Sequence, residues 1–336
     1  MDKVVCKILE PAAAGYSSSS YCNYNYLELP AADCSNYSGA NNRWWSKETV
    51  AVVTGANKGI GFALVKRLAE LGLRVVLTAR DEKKGAAALD SLKRVGVGGD
   101  NVELFVLDVS KPDSIATFAS WLQNTHGGVV DILVNNAAIT SYDSSSISAA
   151  ESVIRTNFYG PKLVIEALLP MLIRRRSISS SSPPPPPARI LNISSRLGSL
   201  DKLRDLDLRA SMEDLEHLSE DKIVGMLDMF LSDYKQQDKQ QGGWPEVWTD
   251  YSVSKLALNA YSKLLARRYK HQGITVNCFC PGFTQTSMTQ GKGTHTPDHA
   301  ASIAATFALL PPHLLLPTGI FFLAPRPRPP NFISNL

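Results

Sequence analysis

Between residues 54 and 61 the chain reads Thr54-Gly55-Ala56-Asn57-Lys58-Gly59-Ile60-Gly61, and the flanks of this run restrict the fold more than any other feature. Ahead of it stands the apolar, β-branched stretch Thr49-Val50-Ala51-Val52-Val53. Behind it, roughly over residues 59–71, the pattern turns amphipathic and helical. A strand that turns into a helix through three glycines brings bare backbone close to whatever lies at the turn. The free N–H groups and positive dipole end of the helix then face that point, which suits an anion. With 22 glycines in the chain, such a spacing alone is weak. The strand before it and the helix after it make it a signature for a dinucleotide pyrophosphate. Gly55, Asn57, Lys58, Gly59, Ile60 and Gly61 are the expected cradle.

The next strand, Arg74-Val75-Val76-Leu77-Thr78-Ala79-Arg80, speaks to which dinucleotide is bound. An acidic residue about 20 positions past the loop would bond the ribose 2′-hydroxyl of NAD. Here that slot holds Ala79 and then Arg80, a cation suited to the 2′-phosphate of NADP, with Lys58 as a second. Asp81 next door reads as the N-cap of the following helix. The expected cofactor is NADP(H).

Far downstream, Tyr251-Ser252-Val253-Ser254-Lys255 opens another helical stretch. Residues four apart share a helix face, so the Lys255 ammonium lies near the Tyr251 phenol. A nearby cation favours phenolate and lowers a pKa that is ordinarily about 10. Tyr251 is then usable as an acid and base near neutral pH. The spacing alone proves little; its place in the chain decides.

Strand and helix patterns alternate between the two signatures: a strand at 102–108, a helix at 113–125, a strand at 131–138, a long helix at 149–174 and a strand at 189–195. Further strands follow at 274–278 and 319–323. Repeated strand–helix units predict an α/β fold, a single doubly wound parallel sheet of Rossmann type, with ligands beyond the carboxyl ends of its strands. Asp108, Asn135 and Ser195 fall at such ends.

These motifs, in this order, make the chain resemble the short-chain dehydrogenase/reductase family, in the single-domain subclass with a Thr-Gly-x-x-x-Gly-x-Gly loop. The resemblance runs over residues 49–324. It implies a catalytic tetrad of Asn157, Ser195, Tyr251 and Lys255. Tyr251 would give the proton to the substrate oxygen and Ser195 would hydrogen-bond that oxygen. Lys255 would bind the nicotinamide ribose, and Asn157 would anchor a water leading to Lys255. It also implies that Asp108 and Val109 lie at the adenine, and Asn135 and Ala137 along the cofactor. The run from Pro281 and Gly282 through Thr284 to Thr286 would close over the nicotinamide. Ala138 departs from the family's Asn-Asn-Ala-Gly, and its extra methyl is expected to alter cofactor affinity without abolishing function.

About 55 residues separate Ser195 from Tyr251. The helical insert within them, residues 200–245, resembles that of the monomeric carbonyl reductases, above all the plant branch with menthone and salutaridine reductases. That likeness implies a monomer acting on ketones or aldehydes of bulky apolar molecules. Leu203, Leu206, Leu208, Met212 and Leu215 recur near helical spacing, which reads chiefly as a face packed on the core and secondarily as substrate contact. Trp248 is open to two readings, pocket wall or core.

A Ser/Pro run at 177–187 ends in five consecutive prolines and reads as an exposed loop. Residues 1–48, rich in Ser, Tyr, Asn and Ala, are expected to be a disordered extension, and 325–336 a tail. Asp2, Glu10, Glu28 and Asp33 argue against a transit peptide. No run of 18 apolar residues is present, so no membrane span is expected. A net charge of +4 without a basic stripe argues against nucleic acid. Five cysteines, an odd number, suit the cytoplasm rather than a disulfide framework, and no histidine or cysteine spacing suits a metal. Two functional classes follow: an NADPH-dependent oxidoreductase acting on a small-molecule carbonyl or alcohol, favoured by the complete tetrad, and a catalytically weak NADP(H)-binding sensor or interaction protein.

Overall fold

In the computed structural model, Val50–Val53 forms β3, an interior strand of the sheet, and its four side chains are all buried. The described residues are 4–8, 25–29, 43–141, 146–178, 186–236, 243–312 and 317–325. From β3 the chain winds outward through β4 (Arg74–Ala79) and β5 (Val102–Val106). It then returns to the other side of β3 and continues through β6 (Ile132–Asn135), β7 (Ala188–Ile193), β8 (Ile274–Cys280) and β9 (Phe321–Leu323). These seven strands are parallel. Strand direction of travel reverses between β3 and β6, which opens a crevice at their carboxyl ends. The doubly wound sheet expected from the alternating pattern is present.

Two apolar layers hold the sheet. On one face lie α1 (Gly59–Glu70), α2 (Glu82–Arg94) and α9 (Pro297–Ala308), which bury Leu64, Leu68, Leu92 and Phe307. On the other lie α3 (Pro112–Thr125), α4 (Ile147–Ile154), α5 (Gly160–Ile178) and α8 (Thr249–Tyr269), which bury Phe118, Ile154, Leu168 and Tyr261. The long helix expected over 149–174 is interrupted: Arg155–Tyr159 is a π-helical turn between α4 and α5. Hydrophobic spacing does not reveal one inserted residue in a turn, and such turns are common at functional sites.

The insert forms α6 (Leu206–Glu213) and α7 (Glu220–Lys235). Leu203 and Met212 are buried and Leu208 packs against the same cluster, as a core-facing pattern requires. Leu206 and Leu215 lie on the surface instead, Leu206 because it begins α6 at an exposed turn. The stronger apolar stripe belongs to α7: Ile223, Met226, Leu227, Phe230 and Tyr234 are all buried, and this helix packs on α8 and α4. Lys162 of α5 and Arg268 of α8 both pair with Glu220 at the start of α7, at 3.4 and 2.6 Å, which fastens the insert at its outer edge.

The expected disordered extension differs in the described parts. Val4–Ile8 (β1) and Asn25–Leu29 (β2) pair antiparallel, and β1 adds to β9, making nine strands in all. Order in the adjoining segment also begins before residue 49. Trp45 is buried and its indole N–H donates to the Leu71 carbonyl, while Trp44 donates to Leu309 and stacks under the Arg189 guanidinium at 3.8 Å. Two indoles anchor an irregular segment that has no periodicity to read. The remainder of 1–42, most of the Ser/Pro run and the tail beyond Pro325 lie outside the described residues.

Candidate active site

The glycine loop leaves β3 at Thr54 and enters α1, with Gly55 and Gly59 at φ +62° and +60°. Close approach matters as much as backbone freedom. A Cβ on Gly55 would stand 2.8 Å from the Cα of Ala137, and one on Gly61 would stand 2.4 Å from Asn136 Nδ2. This is the switch-point crevice, where the turn after β3 meets the turn after β6. Asn136 holds the two together: Nδ2 donates to the carbonyls of Thr54 and Gly55 at 2.9 and 3.0 Å. Thr54 Oγ1 accepts from the N–H groups of Asn136 and Ala137, both at 3.0 Å. Neither Thr54 nor Asn136 was an expected site residue; the doubled Asn after a buried strand was the available signal.

Lys58 occupies the N-cap of α1 without a side-chain cap hydrogen bond, so no side chain of its own covers the end of the helix. Asn57, Gly59 and Ile60 are partly accessible around it, and Lys58 is exposed. A cradle that any Cβ would fill, before an uncapped helix start, fits a pyrophosphate. Arg80 lies exposed past the end of β4, and Asp81 caps α2 by accepting from the Lys84 N–H at 2.9 Å, as expected. Ala138 is absent from the residues with positive φ, so its backbone is one that any residue adopts.

Asp108 is held by its own turn. Oδ1 accepts from the Ser110 N–H and hydroxyl at 3.0 and 2.6 Å, and Lys111 lies 3.8 Å from Oδ2. Burial opposes ionisation, but these hydrogen bonds, with Lys111 and Arg80, keep the carboxyl below its usual range. Val109 is buried beside it. Asn135 turns into the sheet rather than along its rim: Nδ2 donates to Asn192 Oδ1 at 2.8 Å, and Asn192 donates on to Ser262. Its own Oδ1 is buried without a hydrogen-bond partner.

Ser195, Tyr251, Lys255 and Asn157 converge beyond the ends of β6 and β7. Ser195 stands just after β7; its hydroxyl accepts from the Leu197 N–H at 3.1 Å and acts on the Tyr251 phenol to favour its ionised form. The turn following Ser195 lies directly on α8: a Cβ on Gly198 would come 2.4 Å from the Lys255 carbonyl carbon. Asn259 of α8 clasps the same turn, accepting from Ser194 Oγ at 2.6 Å and donating to the Gly198 carbonyl at 3.0 Å. Sequence reasoning missed Gly198 and Asn259, whose role exists only where loop and helix touch.

Asn157 sits in the π turn, fully buried, and exchanges two hydrogen bonds with the Ile139 backbone at 2.9 and 2.8 Å. It also donates to Ser254 Oγ at 3.1 Å, and Ser254 donates to the Tyr251 carbonyl at 2.6 Å. With both amide protons committed, this side chain positions α8 against the turn after β6.

Tyr251 and Lys255 are both buried, on one face of α8. Lys255 Nζ donates to the Ile193 carbonyl at 2.8 Å and stands 5.6 Å from the Tyr251 ring centroid. The expected lowering of the phenol is not what this environment produces. Burial pushes Tyr251 above its ordinary value and Cys280 adds to this, while the Ser195 hydrogen bond pulls the other way. Burial likewise brings Lys255 down to about 8, opposed by Cys278 and Cys280. Desolvation disfavours the charged form of both groups and is the largest influence on each.

The turn after β8 completes the site. Thr284 is buried and its hydroxyl donates to the carbonyls of Pro281 and Gly282 at 3.2 and 3.3 Å. Thr286 reaches the glycine loop, its Cγ2 3.4 Å from where a Gly59 Cβ would be. Cys280 Sγ accepts from the Arg196 N–H at 3.3 Å and so joins this turn to that of Ser195.

A doubly wound sheet with a switch-point glycine cradle beside a Ser/Tyr/Lys cluster defines a nucleotide-dependent oxidoreductase of one family. The short chain dehydrogenase family model matches residues 49–203 and 242–297, and the chain belongs to that family. The unmatched interval between them falls on the helical insert. Short-chain dehydrogenase/reductase 1 of Saponaria officinalis is 38% identical over 300 residues, spanning 82% of this chain and 94% of the relative. An Arabidopsis thaliana (+)-neomenthol dehydrogenase is 37% identical over 81% of this chain and 95% of its own length. Carbonyl reductase [NADPH] 1 of Mus musculus is 34% identical over 82% and 96%. Among solved structures, salutaridine reductase from Papaver somniferum superposes with TM-score 0.72 at 32% identity, covering 81% of this chain and 99% of that one. The protein is an oxidoreductase of the short-chain type that uses a nicotinamide cofactor.

Proposed function

We propose that the protein is an NADPH-dependent carbonyl reductase acting on a ketone or aldehyde of a bulky, apolar small molecule, with Tyr251 as general acid. The observation that carries this reading is the convergence of Ser195, Tyr251 and Lys255 beside the glycine cradle. Gly55, Gly59, Gly61 and the start of α1 would hold the pyrophosphate, with Arg80 and Lys58 on the 2′-phosphate. Bound there, the nicotinamide supplies hydride to the carbonyl carbon. Tyr251, buried and raised, keeps its proton at neutral pH and gives it to the substrate oxygen. Ser195, whose hydroxyl acts on that phenol, would hydrogen-bond and orient the same substrate oxygen. Lys255 faces the cofactor ribose, its charge lost as pH rises through about 8.

The mouse relative is a carbonyl reductase that uses NADPH, and we extend that cofactor and direction to this chain. We also propose a monomer. Helix α7 lies over α8 and α4 and is tied by Glu220 to Lys162 and Arg268, covering faces through which two copies could otherwise meet. A cytoplasmic setting belongs to the same proposal, since Cys278 and Cys280 are buried free thiols. No helix among the described residues is long and apolar enough to cross a membrane.

Loss of NADPH absorbance with purified protein, across terpenoid ketones, quinones and aromatic aldehydes and with NADH in parallel, tests the reading. Turnover preferring NADPH supports it. Tight NADPH binding with no turnover on any carbonyl would return the weight to the sensor class.

A further inference from the structure

Trp248 is the N-cap of α8 and sits in the left-handed region, φ 47° and ψ 58°. That region favours glycine, and an N-cap favours Ser, Thr, Asp or Asn, whose side chains close the helix end. A tryptophan satisfies neither preference, and its side chain makes no cap hydrogen bond. The conformation is nonetheless held: the Ser252 N–H donates to the Trp248 carbonyl at 2.7 Å and Ser252 Oγ donates to the Val247 carbonyl at 2.5 Å. Backbone strain maintained against local preference is a mark of functional sites.

The side chain is placed as unusually as the backbone. Trp244, four residues earlier, is buried, stacks edge-on with Phe230 and donates to Asp233 at 2.9 Å. Trp248 stays 37% exposed, with its ring perpendicular to that of Tyr251 and 5.7 Å away. Val247 beside it is exposed as well. A carbonyl oxygen within hydrogen-bond reach of Tyr251 and Ser195 brings the rest of its molecule past this indole. We propose that Trp248 is a specificity-determining wall of the substrate site, selecting flat molecules whose carbonyl is conjugated to an aromatic or unsaturated ring over small aliphatic ketones. This rests on the Tyr251-centred reading above. The strained backbone aims the indole at the substrate, and ring-on-ring packing supplies the selectivity.

The test measures equilibrium binding of an aryl ketone and of a small aliphatic ketone to the NADP+-loaded protein, which cannot reduce them, with turnover of each by NADPH recorded separately. Wild type is compared with Trp248→Ala, Trp248→Phe and Trp248→Gly. The expected result is a loss of aryl-ketone affinity by about tenfold in Trp248→Ala and Trp248→Gly, near-retention in Trp248→Phe, and little change for the aliphatic ketone. Trp248→Gly, which relieves the left-handed strain, is expected to melt no lower than Trp248→Ala. Equal weakening of both ketones with a lowered melting temperature in every variant would reduce Trp248 to a structural cap and overturn the proposal. So would wild-type affinity that does not favour the aryl ketone. Selective aryl binding without turnover would leave Trp248 as the wall while removing the reductase reading.

Discussion

The region around the glycine loop and the region around the helical insert meet at the same catalytic edge, and they are built in opposite ways. In the first, the constraint is exclusion: Gly55 and Gly61 are small because Ala137, Asn136 and Ala56 already stand where side chains would be. In the second, the constraint is filling: Phe230, Tyr234 and Trp244 interlock edge to face, and the insert presses α7 onto α8. A backbone cradle tolerates almost no change but asks little of the rest of the chain. An aromatic layer can be repacked but transmits every change to the helix beneath it. The glycine turn is thus fixed by close backbone approach between two strand ends, whereas the insert is fixed by side-chain packing.

That contrast can be broken at several points. The largest effect is expected where the regions meet. Tyr251→Phe is expected to reduce turnover by about a thousandfold while NADPH affinity, read by fluorescence titration, stays near wild type. Parallel loss of binding would mean that Tyr251 belongs to the cradle as much as to the chemistry. On the insert side, Phe230→Ala is expected to remove about 3 kcal/mol of stability in denaturant melts, again with NADPH affinity preserved. On the cradle side the pattern reverses. Gly61→Val places side-chain atoms against Asn136 and Ala56, and NADPH affinity is expected to fall about 30-fold with thermal stability less affected than in Phe230→Ala. Arg80→Asp is expected to shift the NADPH-to-NADH preference by about tenfold in kcat/KM, and an unchanged preference would remove the 2′-phosphate from Arg80.

The smallest expected effect lies away from both regions. His126 is buried at the end of α3, edge-on to Trp121 and 3.5 Å from Glu103. Burial lowers its pKa below 6.5, assisted by Arg74 and opposed by Glu103. The unfolded chain therefore takes up this proton more readily than the folded one. The contribution of His126 is intact above about pH 6.5 and is lost as pH falls below it. His126→Gln is expected to flatten the acid side of a melting-temperature profile without altering turnover.

Most of the fold was legible because its signals are local. The strand before Thr54, Arg80 at the end of β4 and the Asp81 cap each depend on residues within a few positions of one another, and each appears where the pattern puts it. The four candidate positions, Asn157, Ser195, Tyr251 and Lys255, were legible through order along the chain, and they converge in space. The insert leucines were read only in part, since Leu206 shares the spacing of Met212 yet opens its helix on the outside. The π turn carrying Asn157 was not legible, because one added residue does not disturb a hydrophobic stripe. The anchoring of Trp44 and Trp45 was hidden by the absence of any period around them.

What the sequence determined by itself is the strand–helix alternation, the glycine cradle and the identity of the groups at the catalytic edge, since backbone sterics and side-chain chemistry are carried by the residues themselves. Tertiary structure alone decided their state. It set Lys255 at the Ile193 carbonyl, raised Tyr251 through burial, brought Gly198 onto α8 and held Trp248 against the phenol. Desolvation and contact depend on which distant segments pack together, and no short stretch of sequence contains that information.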